Sequence, residues 1–293
     1  MANTHLPHPE DTILTGDLRA FRDLYGPGHV SLKIDGAPSI VWGKHPETGR
    51  FFVCTKAAFN KKKIRLCYTT DDIFTHFGHQ IEVVEILSYC IKYLPRTENI
   101  YWGDWLGFGR TQLLKPNTIS YLFPEKISQK MVIAPHTQVF VDGPMCDATC
   151  KPLIEILDDT AIIKWVQPSI DRLPSNETAP NLNTSKVQFL TTKEANVAKQ
   201  KINSLVKEGR ELTDSNLFDI LGCVYLTNLY QLIIEIKEDI MNSMIINDAP
   251  RSFIFDDVET DGEGYVFHTE KVSFKLVNRE EFAYANFTDG RFN

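Results

Sequence analysis

From Val30 to Asp35 the chain alternates, with Val30, Leu32 and Ile34 apolar and Ser31, Lys33 and Asp35 polar. A period of two predicts a strand that turns one face to a core and holds three polar side chains on the other. Just before it, Asp17 is placed to cap a short helix carrying Leu18, Phe21, Leu24 and Tyr25, and Gly26-Pro27-Gly28 ends that helix. Just after it, Gly36-Ala37-Pro38 turns the chain into a strand at Ile40-Val41-Trp42, and the turn Pro46-Glu47-Thr48-Gly49 leads to another at Phe51-Phe52-Val53-Cys54. Between Asp71 and Tyr93 the period changes: Ile73, Phe77, Ile81, Val84, Leu87 and Ile91 recur at helical spacing, with Asp71 or Asp72 as cap. Strands return at Ile100 to Leu106 and Thr137 to Val141.

The second half changes character. Pro168 to Thr184 is polar and rich in Pro and Asn, which predicts a linker. Thr191-x-x-Glu194 has the form of a capping box, and Ser215 opens a helical run through Leu217, Ile220, Leu221, Val224, Leu229, Leu232, Ile233, Ile236 and Ile240. Tyr265 to His268 and Val272 to Val277 flank a polar turn, the pattern of a hairpin. The expectation is an α+β chain: sheet over residues 1–150, a mainly helical insertion or subdomain over 151–250, and a hairpin over 251–293 that completes the first part.

Composition narrows the class. With 293 residues, 43% hydrophobic and 24% charged, the chain has the make-up of a folded globular protein. A net charge of −7 argues against sequence-blind coating of nucleic acid, so a nucleic-acid enzyme of this kind has to concentrate its cations, as in Lys61-Lys62-Lys63 and Arg65. No run approaches the roughly 18 apolar residues of a membrane span, and Met1 to Glu10 lacks the apolar centre of a secretion signal. The expectation is a cytoplasmic monomer that does not engage membranes. Cys54, Cys67, Cys90 and Cys223 sit among apolar neighbours and read as small buried hydrophobes; Cys146 and Cys150 are close but have no second pair to complete a zinc site. His76 and His79 read as surface histidines, and Trp102, Trp105 and Phe108 as core. No GxxxxGK[ST] phosphate loop occurs.

The chemistry gathers at the two ends of the chain. Lys33 lies on a strand beside a sharp turn, where phosphate can approach the backbone. To attack phosphorus a lysine must act as the free amine, so its pKa has to fall from about 10.4 toward neutrality through desolvation or nearby cations. Lys56 and Lys275 are the neighbours expected to do this. A turn centred on Glu270 would put Tyr265 opposite Lys275 and make Glu263 its diagonal neighbour. Glu263 is flanked by Gly262 and Gly264, which allow close approach of a ligand, and its carboxylate suits Mg²⁺ or Mn²⁺ together with phosphate oxygens. His136 and His268 lie near these strands and read as hydrogen-bonded structural histidines, outside the site.

Lys33-Ile34-Asp35-Gly36 resembles the KxDG nucleotidyl-acceptor motif of ATP-dependent ligases and capping enzymes, and Glu263-Gly264-Tyr265-Val266-Phe267 resembles their EGxVh motif. In the same order lie Thr55-Lys56, like their Ser-Arg; Tyr101 to Leu106, like the strand bearing Gly-Glu; Thr137 to Asp142, like the strand with an aromatic residue; and Ser273-Phe274-Lys275, like the terminal KxK. Lys56, Asp104 and Ser273 depart from that pattern, replacing Arg, Glu and Lys.

The resemblance, most of all to small phage-type RNA ligases, implies a nucleotidyltransferase (ATP-grasp-like ligase) domain of two antiparallel sheets around a nucleotide cleft. It implies that Lys33 is adenylylated by ATP and that Lys275 binds the α-phosphate. It further implies that Leu32, Asp35, Gly36 and Lys56 lie at the nucleotide, Asp104 at the ribose, Phe140 at the base and Glu263 at the metal. The AMP would pass to the 5′-phosphate at RNA ends or nicks, as in RNA repair in the cytoplasm of a phage-infected host. RNA is favoured over DNA because Asn278 to Asn293 leave no room for the OB-fold domain that usually follows in DNA ligases and capping enzymes. A DNA nick ligase, a GTP-using capping guanylyltransferase and a non-enzymatic nucleic-acid-binding relative stand as alternatives.

Overall fold

The structure is a computed structural model and describes residues 6–173, 178–254, 258–260 and 262–280. In chain order the first elements are α1 (Pro9–Thr12), α2 (Arg19–Asp23), β1 (His29–Leu32), β2 (Ser39–Lys44), β3 (Phe51–Cys54), α3 (Thr70–Phe77) and α4 (Ile81–Tyr93). There follow β4 (Ile100–Phe108), β5 (Leu113–Leu114), β6 (Ile119–Leu122), β7 (Met131–Phe140), β8 (Thr149–Pro152), β9 (Ile163–Trp165) and β10 (Ser169–Arg172). The last are α5 (Thr192–Lys207), α6 (Asp214–Leu221), α7 (Val224–Asn242), β11 (Met244–Asn247), β12 (Arg251–Ile254), β13 (Val258–Thr260), β14 (Tyr265–His268) and β15 (Ser273–Leu276). Short 3₁₀ turns lie at Ile13–Thr15, Lys56–Phe59 and Met145–Asp147. The protein is thus mixed α+β with several antiparallel sheets.

The chain divides into two compact units. A sheet unit comprises Ile34–Gln167 and Ala249–Glu259; a helical unit comprises Leu6–Lys33, Pro168–Asp248 and the chain from Thr260 onward.

In the sheet unit, β3-β2-β4-β7-β8 form one sheet, with β9 running parallel to β7, and β13-β12-β6-β5 form another. Val41, Trp42, Phe52 and Val53 are buried with Ile73, Leu87 and Cys90 of the two helices, and Trp42 stacks on Trp165 at 5.6 Å. The helix expected over Asp71 to Tyr93 is two helices. Thr69, not Asp71 or Asp72, is the cap: its hydroxyl accepts from Asp72 N at 3.2 Å while the Asp72 carboxylate accepts from Thr69 N at 2.9 Å. Gly78, the weakest helix former in the segment, ends α3, and the restart at Ile81 leaves that side chain 82% exposed instead of on the core stripe.

In the helical unit, β1-β14-β15 form a three-stranded sheet and β10-β11 a two-stranded one. Val30, Leu32, Tyr265, Phe267, Phe274 and Leu276 share a core with Leu217, Leu226, Tyr230 and Ile233 of the helices. The predicted linker contains β10, whose Ser169, Asp171 and Arg172 carry too little apolar pattern to announce a strand; pairing with β11 makes it one. The capping box at Thr191 is present: its hydroxyl accepts from Glu194 N at 3.3 Å, and the Glu194 carboxylate accepts from Thr191 N at 2.8 Å. The run from Ser215 is split in two by Gly222, which ends α6 in the left-handed region at φ 69°. Inside this unit Lys237 and Glu10, 2% and 0% exposed, pair at 3.0 Å, and Arg279 bridges Asp11, Tyr230 and Asn203. Cys54, Cys67, Cys90 and Cys223 are buried. Among the described residues no helix is long and apolar enough to cross a membrane.

Candidate functional site

The residues singled out in the sequence fall into two groups, one in each unit. In the helical unit, β1 and β15 flank β14, all antiparallel. Thr269 closes the β14–β15 turn: its N–H donates to Val272 O, and its side chain accepts from the N–H groups of Lys271 and Val272. This four-residue turn centres between Glu270 and Lys271, one half-step from the expected position. Lys275 therefore pairs with Val266, and Tyr265 with Leu276. Tyr265, 5% exposed, belongs to the core face and not beside Lys275.

Cross-strand partners share a face. One row of the polar face is His29–His268–Ser273, and the next is Ser31–Val266–Lys275. Lys33 extends the pairing, its N–H donating to Gly264 O at 2.8 Å. Gly262 and Gly264 take φ of 95° and 113°, and a Cβ on Gly264 would lie 2.2 Å from Leu276 O. Only glycine suits that backbone, which turns Glu263 so that its carboxylate meets Lys33 Nζ in an ion pair. The lysine side chain is 29% exposed and the glutamate 9%. Burial lowers the pKa of Lys275, repulsion from Lys33 and Arg279 adds to the shift, and Glu263 opposes it. Lys33, Glu263 and Lys275 are thus one electrostatic cluster. Leu32 points into the core, leaving only its backbone on this face.

The sheet unit holds the second group. Asp104 on β4 accepts a hydrogen bond from Ser39 Oγ at 2.9 Å, and its other oxygen lies 3.6 Å from His136 Nε2. His136 reaches it through a β-bulge. Trp102 pairs with Thr137 and Gly103 with Pro135, so His136 is skipped by the ladder and its side chain is re-aimed. The His136 ring packs against Trp102 at 5.5 Å, Phe59 packs on Trp102 at 5.4 Å, and Lys56 Nζ lies 5.7 Å from the Trp102 ring centre. Trp102, read as core, lines this group; Trp105 is core, at 4% exposed.

Asp35 has an anchoring part. Its carboxylate accepts from Asn117 Nδ2 at 2.9 Å and Thr118 N at 3.2 Å, while its own N–H donates to Tyr121 Oη at 2.7 Å. Gly36 sits where a Cβ would lie 2.7 Å from Trp105 O. Phe140 is not brought to Asp104: it ends β7 six residues beyond Ala134, the partner of Asp104, about 20 Å along the strand. Its ring takes Lys151 Nζ at 5.1 Å instead. Lys61, Lys62 and Lys63 are exposed on a loop shaped by Asn60, whose side chain accepts from the N–H groups of Lys62 and Lys63, and Arg65 lies 5.6 Å from the Phe77 ring centre.

His136 and His268 are the residues that sequence reading set aside. Their place on strands beside the candidate residues was the available signal, but the bulge that aims His136 has no sequence signature. Among the described residues no three or more His, Cys, Asp or Glu side chains gather as a metal cage.

Neither the curated proteins nor the solved structures contain a match to this chain. A family model described as "Family of unknown function (DUF6267)" matches residues 3–221 and 171–291, and the chain belongs to that family.

Proposed function

We propose that this protein is a covalent lysine nucleotidyltransferase with the fold of that class, an ATP-dependent RNA ligase in which Lys33 is the nucleophile. The observation that carries the reading is the cluster itself: Lys33 paired with Glu263 on a glycine-flanked turn, with Lys275 close enough for mutual repulsion. A solvated surface lysine has no need of a buried glutamate or a second lysine.

The Lys33 amine attacks the α-phosphorus of ATP; a P–N bond forms, the bond to the bridging oxygen breaks and pyrophosphate leaves. An oxygen of a 5′-phosphate end then attacks the same phosphorus, breaking the P–N bond and carrying AMP away. A 3′-hydroxyl finally attacks the 5′-phosphorus and expels AMP. Glu263 pairs with Lys33 in the free site, and the lysine is released to attack when the carboxylate turns to another partner. Lys275 also stabilises charge on the phosphoryl oxygens. Glu263 would hold Mg²⁺ or Mn²⁺, which supplies further neutralisation of phosphate charge. Asp104, fixed by Ser39 and beside His136, is assigned to the ribose, and the loop from Lys61 to Arg65 to the RNA backbone.

The test is incubation with Mg²⁺ and α-labelled ATP or GTP, followed by denaturing electrophoresis of wild type and Lys33→Ala. Label from ATP on wild type alone supports the reading; label from GTP moves it to capping; no label from either overturns it in favour of a binding protein. Joining assays with competing RNA and DNA ends then assign the acceptor.

A further inference from the structure

The polar face of β1-β14-β15 continues past the lysines to a second cluster. His268 Nε2 lies 3.3 Å from Ser31 Oγ and its Nδ1 lies 2.8 Å from Ser273 Oγ, so one imidazole ties both outer strands together through β14. The His29 ring stacks on it at 5.9 Å and 24°. All four side chains are half-buried. At the edge, a Cβ on Gly28 would lie 2.7 Å from His268 O, so the chain passes close against the sheet here.

The chemistry of the cluster depends on the proton count of one ring. Neutral imidazole has one N–H, so one serine hydroxyl accepts from it and the other donates its proton inward. When the ring becomes imidazolium both nitrogens donate, both hydroxyls accept, and both O–H protons turn outward beside a positive charge. That is a set of anion donors, and an approaching anion favours the protonated state that creates it. The charged and titratable groups around it are His29 on β1, Lys33 following β1, Lys275 on β15 and Glu263 preceding β14, a surplus of positive charge. Burial pushes the pKa of His29 down, which disfavours a charge on that ring.

We propose that Ser31, His268 and Ser273 form a phosphate-binding subsite on the same face as Lys33 and Lys275. The inference rests on the reading that the lysines take the α-phosphate of ATP. His29, Ser31 and Lys33 follow one another at intervals of about 7 Å on an extended strand, so the cluster takes a phosphate one step removed from the reacting phosphorus. That phosphate belongs either to the tail of the triphosphate, which leaves as pyrophosphate, or to the 5′-phosphorylated end of the polynucleotide.

Calorimetric titrations of the whole protein with inorganic pyrophosphate, and with an oligoribonucleotide bearing either a 5′-phosphate or a 5′-hydroxyl, test the subsite without requiring turnover. His268→Ala is expected to weaken one phosphate probe about tenfold or more while leaving the 5′-hydroxyl oligonucleotide unchanged. Loss confined to pyrophosphate assigns the triphosphate tail, and loss confined to the 5′-phosphorylated oligonucleotide assigns the acceptor end. Wild-type affinity for that probe rises from pH 8 to pH 6; Ser273→Lys, which sets a permanent cation in the same row, retains affinity at pH 8 and flattens the dependence. Unchanged affinity for both probes in His268→Ala and in Ser31→Ala/Ser273→Ala, with wild-type circular dichroism, overturns the subsite. The label experiment on Lys33 is independent: phosphate affinity lost in His268→Ala with no lysyl nucleotide in wild type leaves the subsite standing and removes the ligase reading.

Discussion

The helical unit contains two lysine–glutamate pairs of opposite character. Lys237 and Glu10 lie between helix α7 and the N-terminal segment, 2% and 0% exposed, in a network with Arg279, Asp11, Tyr230 and Asn203. Lys33 and Glu263 meet at the end of a sheet, with the lysine 29% exposed and the glutamate held between two glycines. Burial raises the pKa of Glu10, but Lys237, His8 and Arg279 outweigh it and hold the carboxylate down at about 2. The Glu10 carboxylate is thereby held ionised by its surroundings. At the sheet end a second lysine, Lys275, is close enough to repel Lys33 and attract Glu263. In both places the pair has a second cation beside it, Arg279 or Lys275; what differs is burial, complete at Lys237 and Glu10 and only partial at Lys33.

The sharpest way to break the comparison is to remove each lysine. Lys33→Ala is expected to abolish nucleotide labelling and to cost less stability than removing the fully buried lysine, because Lys33 is partly exposed and Lys275 remains beside Glu263. Lys237→Met is expected to do the reverse. It leaves the buried Glu10 with Arg279, at 3.8 Å, as its remaining cation and costs up to about 3–5 kcal/mol, readable as a lower denaturant midpoint; adding Glu10→Gln should recover much of the loss. Equal effects of the two single variants on stability would erase the distinction.

Acid titration separates the pairs next. Burial is the main cause that lowers His8 to about 3, far below its ordinary value, and Glu10 is also depressed. Both groups are therefore deprotonated in the fold at pH values where the unfolded chain binds protons. His8 contributes stability that is full above about pH 6.5 and falls at up to about 1.4 kcal/mol per pH unit below it; Glu10 adds to the slope below about pH 4.5. Chemical denaturation across pH 7 to 4.5 checks this, and His8→Leu should flatten that window. A slope unchanged in His8→Leu would show that the histidine is not buried neutral.

The smallest effect sits on a helix end. Thr191→Ala removes the cap of α5 and should cost about 1 kcal/mol with no effect on labelling. Coupling between this substitution and labelling would mean that the helices are not mere scaffold for the sheet face.

Much of this arrangement was legible in the chain. The alternation around Lys33 and Lys275, the Gly-Glu-Gly turn and the box at Thr191 all depend on local patterns, and local patterns survive folding intact. What escaped depends on counting across strands. The hairpin register was one residue off because Thr269 closes a four-residue turn, and a one-residue slip moves a side chain such as Tyr265 to the other face. The break at Gly78 hid inside an otherwise helical period, and β10 is defined by its partner more than by its own residues. Alternation places Asp35 on the polar face of its strand, but its partners Asn117, Thr118 and Tyr121 lie more than eighty positions away in sequence and leave no local pattern.

The bulge in β7 bears on how this strand can be edited. Thr137 and Pro135 already face consecutive partners on β4, so the ladder counts straight through without His136. Excising that residue should leave the pairing with β4 in place, at the cost of the one backbone hydrogen bond in which Leu153 N donates to His136 O at 3.0 Å, while taking away the imidazole beside Asp104. The sheet can spare His136; a deletant that folds but binds nucleotide poorly would show that the extra residue is kept for its side chain and not for the strand.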